Sequence, residues 1–531
     1  MEFCDTADWK SALLSSRQAL QPGRNPPFSS MTTHAAIIIG LILYVILTTI
    51  VSFCMMARVR KPADYLVAGR GLPVWVLIGT IIGTCIGTGV IIGGSGLAYK
   101  HGWAGCAYPI GLGLGTLLTG LCFAEMRRYK FMTLSEEIAC YYERNRVIVE
   151  FSNISLFVSQ LCWLTVQIMG GAAVVWAVTG LPLKWCVVLA GSAKAAISIP
   201  GGLKAVVYTD VLQTVILFCG FGFLMYSTLN EVGGLSGLHR EVPAGYFSFL
   251  GIESHGLWPV LSLIVVLTLN PIADPGRRLT IYSAHSEGSA KWSMAASGIA
   301  VILFSVVIGI TGMYTFYKNP NLPSANDALP WLVMNRLPAW LAGFVVVAVV
   351  SGMSSAANGN AAAAGTFFVR HIYPLVTGRY PQRPVVVARR ALAFGFLAST
   401  VLALYMTDIV KFVKDFLPLT MSGLAVIILL GRFWKRSTSQ GALAALIVTP
   451  AVTLAAKLLP AESPLRTEPI IPATILGVIA HVCVSLLTPP RQRSFDEVAD
   501  AMTRERSQIE KEGAHDLPVH EEVTSTKPTL A

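Results

Sequence analysis

The chain has 531 residues, 54% of them hydrophobic and only 13% charged, with a formal net charge of +11. Soluble domains carry about 25% charged residues, so this composition excludes an ordinary soluble enzyme or binding module and points to a bilayer protein. The ten cysteines stand singly, mostly within apolar runs and with no C-x-x-C pair, and read as small hydrophobes in helix packing.

Residues 1–32 form a polar extension without the apolar core of a signal peptide; whether the native chain starts at Met1 or Met31 stays open. From there on, runs of roughly 20 apolar residues, the length that crosses a bilayer as helix, recur thirteen times. They lie near 34–57, 74–98, 103–124, 150–178, 184–200, 203–228, 258–280, 292–316, 338–368, 390–407, 409–431, 439–459 and 470–488. The runs are continuous and too long for the alternating strands of a barrel. They predict an all-α, polytopic membrane domain over 33–488, of about thirteen transmembrane helices. Residues 489–531 are charged and poor in aromatics, which predicts a tail with one amphipathic helix near Phe495 to Glu512.

The basic residues are unevenly placed. With the N-terminus outside and the spans alternating, inward loops hold Arg58, Arg60, Lys61, Arg70, Arg127, Arg128, Lys130, Arg144, Arg146, Lys204, Arg277, Arg278, Lys291, Arg370, Arg379, Arg383, Arg389, Arg390, Arg432, Lys435 and Arg436. Outward loops hold Lys100, Lys184, Arg240, Lys318, Arg336 and Arg466, with Lys411, Lys414 and Lys457 near outer helix ends. This is the positive-inside pattern, expected of a multi-pass plasma-membrane protein with its C-terminus in the cytoplasm. It also removes nucleic acid as the reason for the positive charge.

Two spans are interrupted. Leu77 to Tyr99, LIGTIIGTCIGTGVIIGGSGLAY, carries seven glycines, and Val265 to Leu279, VVLTLNPIADPGRRL, carries Asn270, Pro271, Asp274, Pro275 and Gly276. Each glycine costs about 1 kcal/mol in a soluble helix interior, and proline removes a backbone donor. Such sequences read as broken helices, or as close helix contacts and kinks. They fall in the second and seventh spans, at matching positions of two five-helix units of opposite orientation. That placement is the sequence pointer to a transporter's central binding site.

The stretch GGLKAVVYTDVLQ, Gly201 to Gln213, places a carboxylate and an amide one turn apart at the head of an apolar run. With paired glycines, Ala-Val and Thr-Asp-x-x-Gln, it resembles the signature of the sodium:solute symporters, which include bacterial proline, pantothenate and sugar symporters. ADYLVAGRGLPVW (Ala63 to Trp75), GGSGLAY (Gly93 to Tyr99) and TFFVRHIYP (Thr366 to Pro374) are similar to further parts of that family's pattern, and the resemblance spans roughly 33–488. It implies a thirteen-helix chain with a five-plus-five inverted-repeat core, the amino-acid/sodium transporter fold.

The same resemblance implies a sodium ion as coupling ion, held by the carbonyls of Gly83 and Ile86 and by Ala362, Gly365 and Thr366 of the eighth core helix. Where the family has two adjacent hydroxyl residues, this chain has Gly365 then Thr366, so one ligand is missing. A proton-coupled or uncoupled transporter of the same fold stays open beside sodium symport. Asp210 falls on the implied ion exit path or pairs with Lys204 or Lys194. Lys194 itself either snorkels to the inner surface or joins that pair. Asp274 attracts a cationic substrate, carries a coupling proton, caps the half-helix after Pro275, or pairs with Arg277 or Arg278.

A small-molecule substrate is expected between the core helices. Gly89 and Val90 stand where sugar-transporting relatives offer two polar residues, which disfavours a sugar, since an unpaired buried polar group costs about 1–3 kcal/mol. The remaining candidates are Thr88, Gln160, Trp163, Gln167, Asn270, Asp274 and Phe416, each of which also reads as interhelical glue or packing. No metalloprotease helix, phosphate loop or nucleophile elbow stands in a fitting context, which argues against an enzyme. The tail is too short to fold as the signalling module of a transporter-like sensor. The sequence carries no signal of oligomeric state.

Overall fold

A computed structural model describes residues 29–56, 71–379, 381–406, 412–413, 415–416, 418–460 and 463–512. The basic residues Arg58, Arg60, Lys61, Arg70, Lys411 and Lys414 lie outside the described residues, as do the side chain of Lys204 and the lead-in 63–70.

All thirteen predicted stretches are mainly helical where described. α1 is Ser29–Met56. The second stretch divides into α2 (Val74–Cys85), a π-helical turn Gly89–Gly94 and α3 (Ser95–His101). α4 (Ala107–Phe123), the short α5 (Leu134–Tyr141), α6 (Arg146–Thr179) and α7 (Leu183–Val232) complete the first half. The second half opens with α8 (Leu257–Ala273) and α9 (Pro275–Ser283). It continues through α10 (Glu287–Lys318), α11 (Ala328–Arg336), α12 (Ala339–Phe367), α13 (Pro384–Ala403), α14 (Gly423–Phe433), α15 (Ser439–Lys457), α16 (Ile470–Leu487) and α17 (Phe495–Glu512). Among the described residues nine helices are long and apolar enough to cross a membrane, or ten with α8 and α9 as one broken span; Val74–Cys85 and Leu419–Phe433 are shorter apolar helices.

Local chemistry sets the ends. Asn145, Ser286 and Thr438 accept backbone N–H groups at the starts of α6, α10 and α15, as capping residues do. Gly180 and Gly233 close α6 and α7 with φ of +64° and +77°, a conformation that favours glycine. α4 and α10 approach closely at Gly113 and Gly298, where a Cβ on either would lie 2.6 Å from the other's carbonyl oxygen; small residues buy such contacts in membranes. Large apolar side chains such as Trp292, Leu303, Phe394 and Leu397 are exposed on the outer surface, where lipid would cover them.

One predicted boundary is absent. The spans 184–200 and 203–228 were expected to be separate, but α7 runs unbroken for 50 residues through Pro200, Gly201 and Gly202. A proline forfeits one bond and glycines weaken a helix by about 1 kcal/mol each, and two residues leave little room for a reversal. At 1.5 Å per residue the helix measures about 75 Å if straight, more than twice the roughly 30 Å of a hydrocarbon core; its span-forming part is Val206–Val232.

The two predicted breaks are present. α2 ends at Ile86, whose φ of −90° and ψ of +67° leave the helix, and α8 and α9 meet at Asp274 with a bend of 46°. The far ends of the broken pair are tied together: Leu72 N–H donates to Ser283 O at 3.2 Å and His285 N–H to Leu72 O at 3.3 Å. α12 packs against α7, α1, α6 and α2, so it faces the first break.

Candidate functional site

At the head of the signature stretch, Thr80 of α2 donates its hydroxyl proton to Asp210 Oδ2, and Gln213 Nε2 donates to the Tyr44 hydroxyl of α1 at 2.7 Å. Thr214 Oγ1, on the next residue, donates to Gly79 O at 2.7 Å. The signature therefore docks α7 onto both α1 and α2, and Asp210 is fully buried with Oδ1 lacking a partner. Neither predicted role for Lys194 matches its place. It is buried and its ammonium donates to Met353 O of α12 at 3.2 Å, because continuous α7 carries it into the helix contacts rather than to a surface.

The residues beside the break of α2 differ from those expected. A Cβ on Gly83 would meet Ser355 Oγ at 2.5 Å and Thr214 Oγ1 at 2.7 Å, and one on Gly352 would meet Ile86 O at 2.5 Å. Thr366 lies eleven residues beyond Ser355, about 16 Å further along the helix. Its hydroxyl donates to its own Ala362 O at 2.9 Å, while Gly365 packs on Leu392 of α13. Ala362, Gly365 and Thr366 are thus not brought to Gly83 and Ile86. The hydroxyls that are sit in SGMSS, Ser351 to Ser355: Ser355 lies against Asp210, and Ser351 and Ser354 lie around Tyr44. The Oγ atoms of Ser351 and Ser355 are buried, and beyond these neighbours they have no hydrogen-bond partner. The sequence signal was available, since 351, 354 and 355 repeat the sought offsets of 0, 3 and 4 with a hydroxyl at every position.

Between the breaks lies a cavity of about 60 Å³. Six predicted substrate residues line it, Gly89, Val90, Trp163, Gln167, Asn270 and Asp274, together with Asp210. Thr88 and Gln160 stand one bond away: Thr88 Oγ1 donates to Gln167 Oε1 at 3.0 Å, and Gln160 Nε2 to Asp274 Oδ1 at 3.3 Å. Phe416 is not among the lining residues; its ring packs on Phe412 with centroids 4.5 Å apart.

Asp274 caps α9 by accepting Gly276 N–H at 3.0 Å and faces Arg277 Nε at 3.8 Å. Arg277 was assigned to an inward loop, yet it is buried in α9 and lines the cavity, donating to Thr84 Oγ1 and to Ile81 O of α2. Arg278, assigned to the same loop, is fully buried too, 3.7 Å from Glu137 and 3.6 Å over the Phe123 ring. Both misplacements share a cause: the half-helix after Pro275 turns back into the protein, so its charges never reach the surface. Tyr108 is a further lining residue that sequence reading missed; its hydroxyl has no partner and sits where a Cβ on Gly89 would be.

Together these elements make a central polar cavity between two broken helices, flanked by unpartnered buried oxygens, in a protein whose outer surface is apolar. A profile of the sodium:solute symporter family matches residues 65–449. The chain is 25% identical over 481 residues to a sodium/glucose cotransporter of Vibrio parahaemolyticus, covering 82% of this chain and 86% of that protein. It is 24% identical over 439 residues to the sodium/pantothenate symporter of Escherichia coli, covering 79% and 89%. In three dimensions it superimposes on a Na+-coupled sialic acid symporter in a substrate-bound outward-open state with a TM-score of 0.75 at 19% identity, over 86% of this chain and 99% of that one. With the family profile matched over well more than half its length, the chain belongs to the sodium:solute symporter family.

Proposed function

We propose that the protein is a transporter, not an enzyme, importing a small solute by sodium symport through alternating access. It would lie in the plasma membrane with its N-terminus outside and its C-terminus in the cytoplasm. The observation that carries this reading is the cluster of buried oxygens beside the break of α2, Ser351 Oγ, Ser355 Oγ and Asp210 Oδ1, which find no partner outside their own group and Tyr44. Unwound carbonyls and hydroxyls are the donor set sodium takes in such folds. On this reading the carbonyls of Gly83 and Ile86 and the hydroxyls of Ser354 and Ser355 hold the ion, with Ser351 beside them. Asp210, held by Thr80, supplies negative charge on the ion's path, as an ionisable residue within a span does by default. The hydroxyl missing at Gly365 then takes nothing from the site. An entering cation gains about 2.3 kcal/mol per 100 mV of membrane potential, which adds to the concentration gradient and can drive solute accumulation.

The test is thermal unfolding of the purified protein in sodium, potassium and choline chloride at matched ionic strength, since a ligand of the native state raises apparent stability by mass action. A sodium-specific rise is expected that Ser355→Ala weakens at least tenfold in apparent affinity and Thr366→Ala leaves intact. The reverse pattern would move the ion to the far end of α12. No sodium effect in the parent protein would replace sodium by proton coupling through Asp210 or Asp274.

A further inference from the structure

Arg277 is the one cationic residue lining the cavity among the described residues, and its hydrogen bonds are incomplete. Its Nη1 is engaged by Ile81 O and Thr84 Oγ1, which fix the guanidinium against α2. Its Nε is buried and meets no acceptor. Asp274 does not supply one: Oδ2 stands 3.8 Å away, beyond hydrogen-bond reach, and Oδ1 is spent on Gly276 N–H and Gln160. A guanidinium presents five donors in a flat fork that a two-oxygen anion fits, and a buried donor left unmet is costly. An arginine within a broken span is a functional candidate by default.

The acceptors of the cavity are unmet as well. Asn270 Oδ1 and Asp210 Oδ1 are buried without partners. The ionisable groups lining it are Asp210, Asp274 and Arg277; with all three ionised they sum to −1, and a sodium ion beside Asp210 would bring the sum to zero. The walls add Trp163 and Tyr108, so the space suits something compact with an apolar side.

We propose that Arg277 selects the substrate by binding a carboxylate, so that the solute class is a compact carboxylic acid. An amine on the same molecule, as in an α-amino acid, would find its acceptors in Asp274 and Asn270 and would keep the cavity neutral. This inference rests on the transporter reading above. It gives Arg277 a role separate from that of its neighbour Arg278, which has unmet donors too but lies off the cavity, against Glu137 and the Phe123 ring.

The experiment uses the full-length protein in sodium-containing detergent and follows thermal unfolding with glycine, L-alanine, L-proline, propionate and L-lactate. Each is set beside its methyl ester or amide, with glucose and myo-inositol as neutral polyols. At least one free acid is expected to raise the midpoint while its ester or amide does not, and Arg277→Gln is expected to weaken that response at least tenfold while the sodium response in the absence of any organic probe persists. Arg277→Lys, which keeps the charge but not the fork, should retain part of it and serves if the glutamine variant does not fold. Asp274→Asn separates the sources: it should weaken amino acids and spare propionate and lactate. The inference is overturned if esters, amides or polyols act as well as acids, if no acid in the panel acts, or if Arg277→Gln keeps the full response. Absence of a sodium response in the parent protein would instead strike the sodium coupling proposed above, while the comparison of acids with esters still decides the role of Arg277.

Discussion

Asp210 shows how one carboxylate is made tolerable inside an apolar helix: Thr80 donates to one oxygen and the Ser355 hydroxyl lies against the carboxylate. Gln213 donates its amide to the Tyr44 hydroxyl and keeps its own Oε1 buried without a partner, so both polar residues of the signature anchor α7 to a neighbouring helix. Outside the spans, Asp327 ends the short helical turn Ala325–Asp327 before α11. Burial is the cause that pushes its carboxyl up to about 6 from 3.8. A carboxyl raised by folding binds its proton more tightly in the native state, so stability is greatest below the unfolded value and falls as pH climbs from about 4 to about 6, then levels. Asp327→Asn is expected to remove that slope and to raise the melting midpoint at pH 7. Midpoints of parent and variant measured from pH 4 to pH 8 check this, and parallel curves would refute it.

At the scale of elements, α17 is docked rather than trailing. Phe495 packs against Tyr129 and Tyr141 with ring centroids 5.0 and 5.1 Å apart, and Val498 and Ala499 are buried. Glu505 pairs with Arg144 at 2.9 Å, and Glu143 accepts the backbone N–H of Gln492 at 2.6 Å. Beneath it, α5 holds Glu137, which accepts from Tyr282 of α9 at 2.6 Å and from Tyr141 at 2.9 Å. The tail helix thus braces the element that grips the end of the second broken helix. Aromatic pairs contribute about 0.5–1.5 kcal/mol each beyond their buried area, whereas exposed ion pairs contribute about 0–1 kcal/mol. Phe495→Ala is accordingly expected to free residues 495–512 to protease in the folded protein, while Glu505→Gln changes the cleavage rate little. Equal cleavage of both variants would assign the docking to charge instead.

For the whole molecule, the unbroken α7 bears on topology. Thirteen crossings put the termini on opposite sides; if α7 crosses once, the count becomes even and both termini share a side. A fluorescent reporter that matures only in the cytoplasm and a phosphatase active only outside, each fused to either end, distinguish these. Phosphatase activity at the N-terminus and fluorescence at the C-terminus are expected. Fluorescence at both ends would mean that Leu183–Val232 crosses the membrane once.

The sequence by itself determined the class of molecule, the helical stretches and the two breaks. These follow from local properties: an apolar run must bond its own backbone in lipid, and glycines or prolines interrupt it wherever they stand. Only the tertiary structure decided which turn of α12 meets the first break. Sliding that helix by eleven residues changes neither its hydropathy nor its helicity, so Ser355 and Thr366 read alike until the close contacts at Gly83 and Gly352 choose between them. The same holds for Arg277. In the sequence it is a basic residue after a proline, fit for a loop, and it becomes a cavity residue because the bend at Asp274 and the bonds to Ile81 and Thr84 turn α9 inward. Registration between distant helices is set by side-chain packing across the chain, which no local pattern encodes.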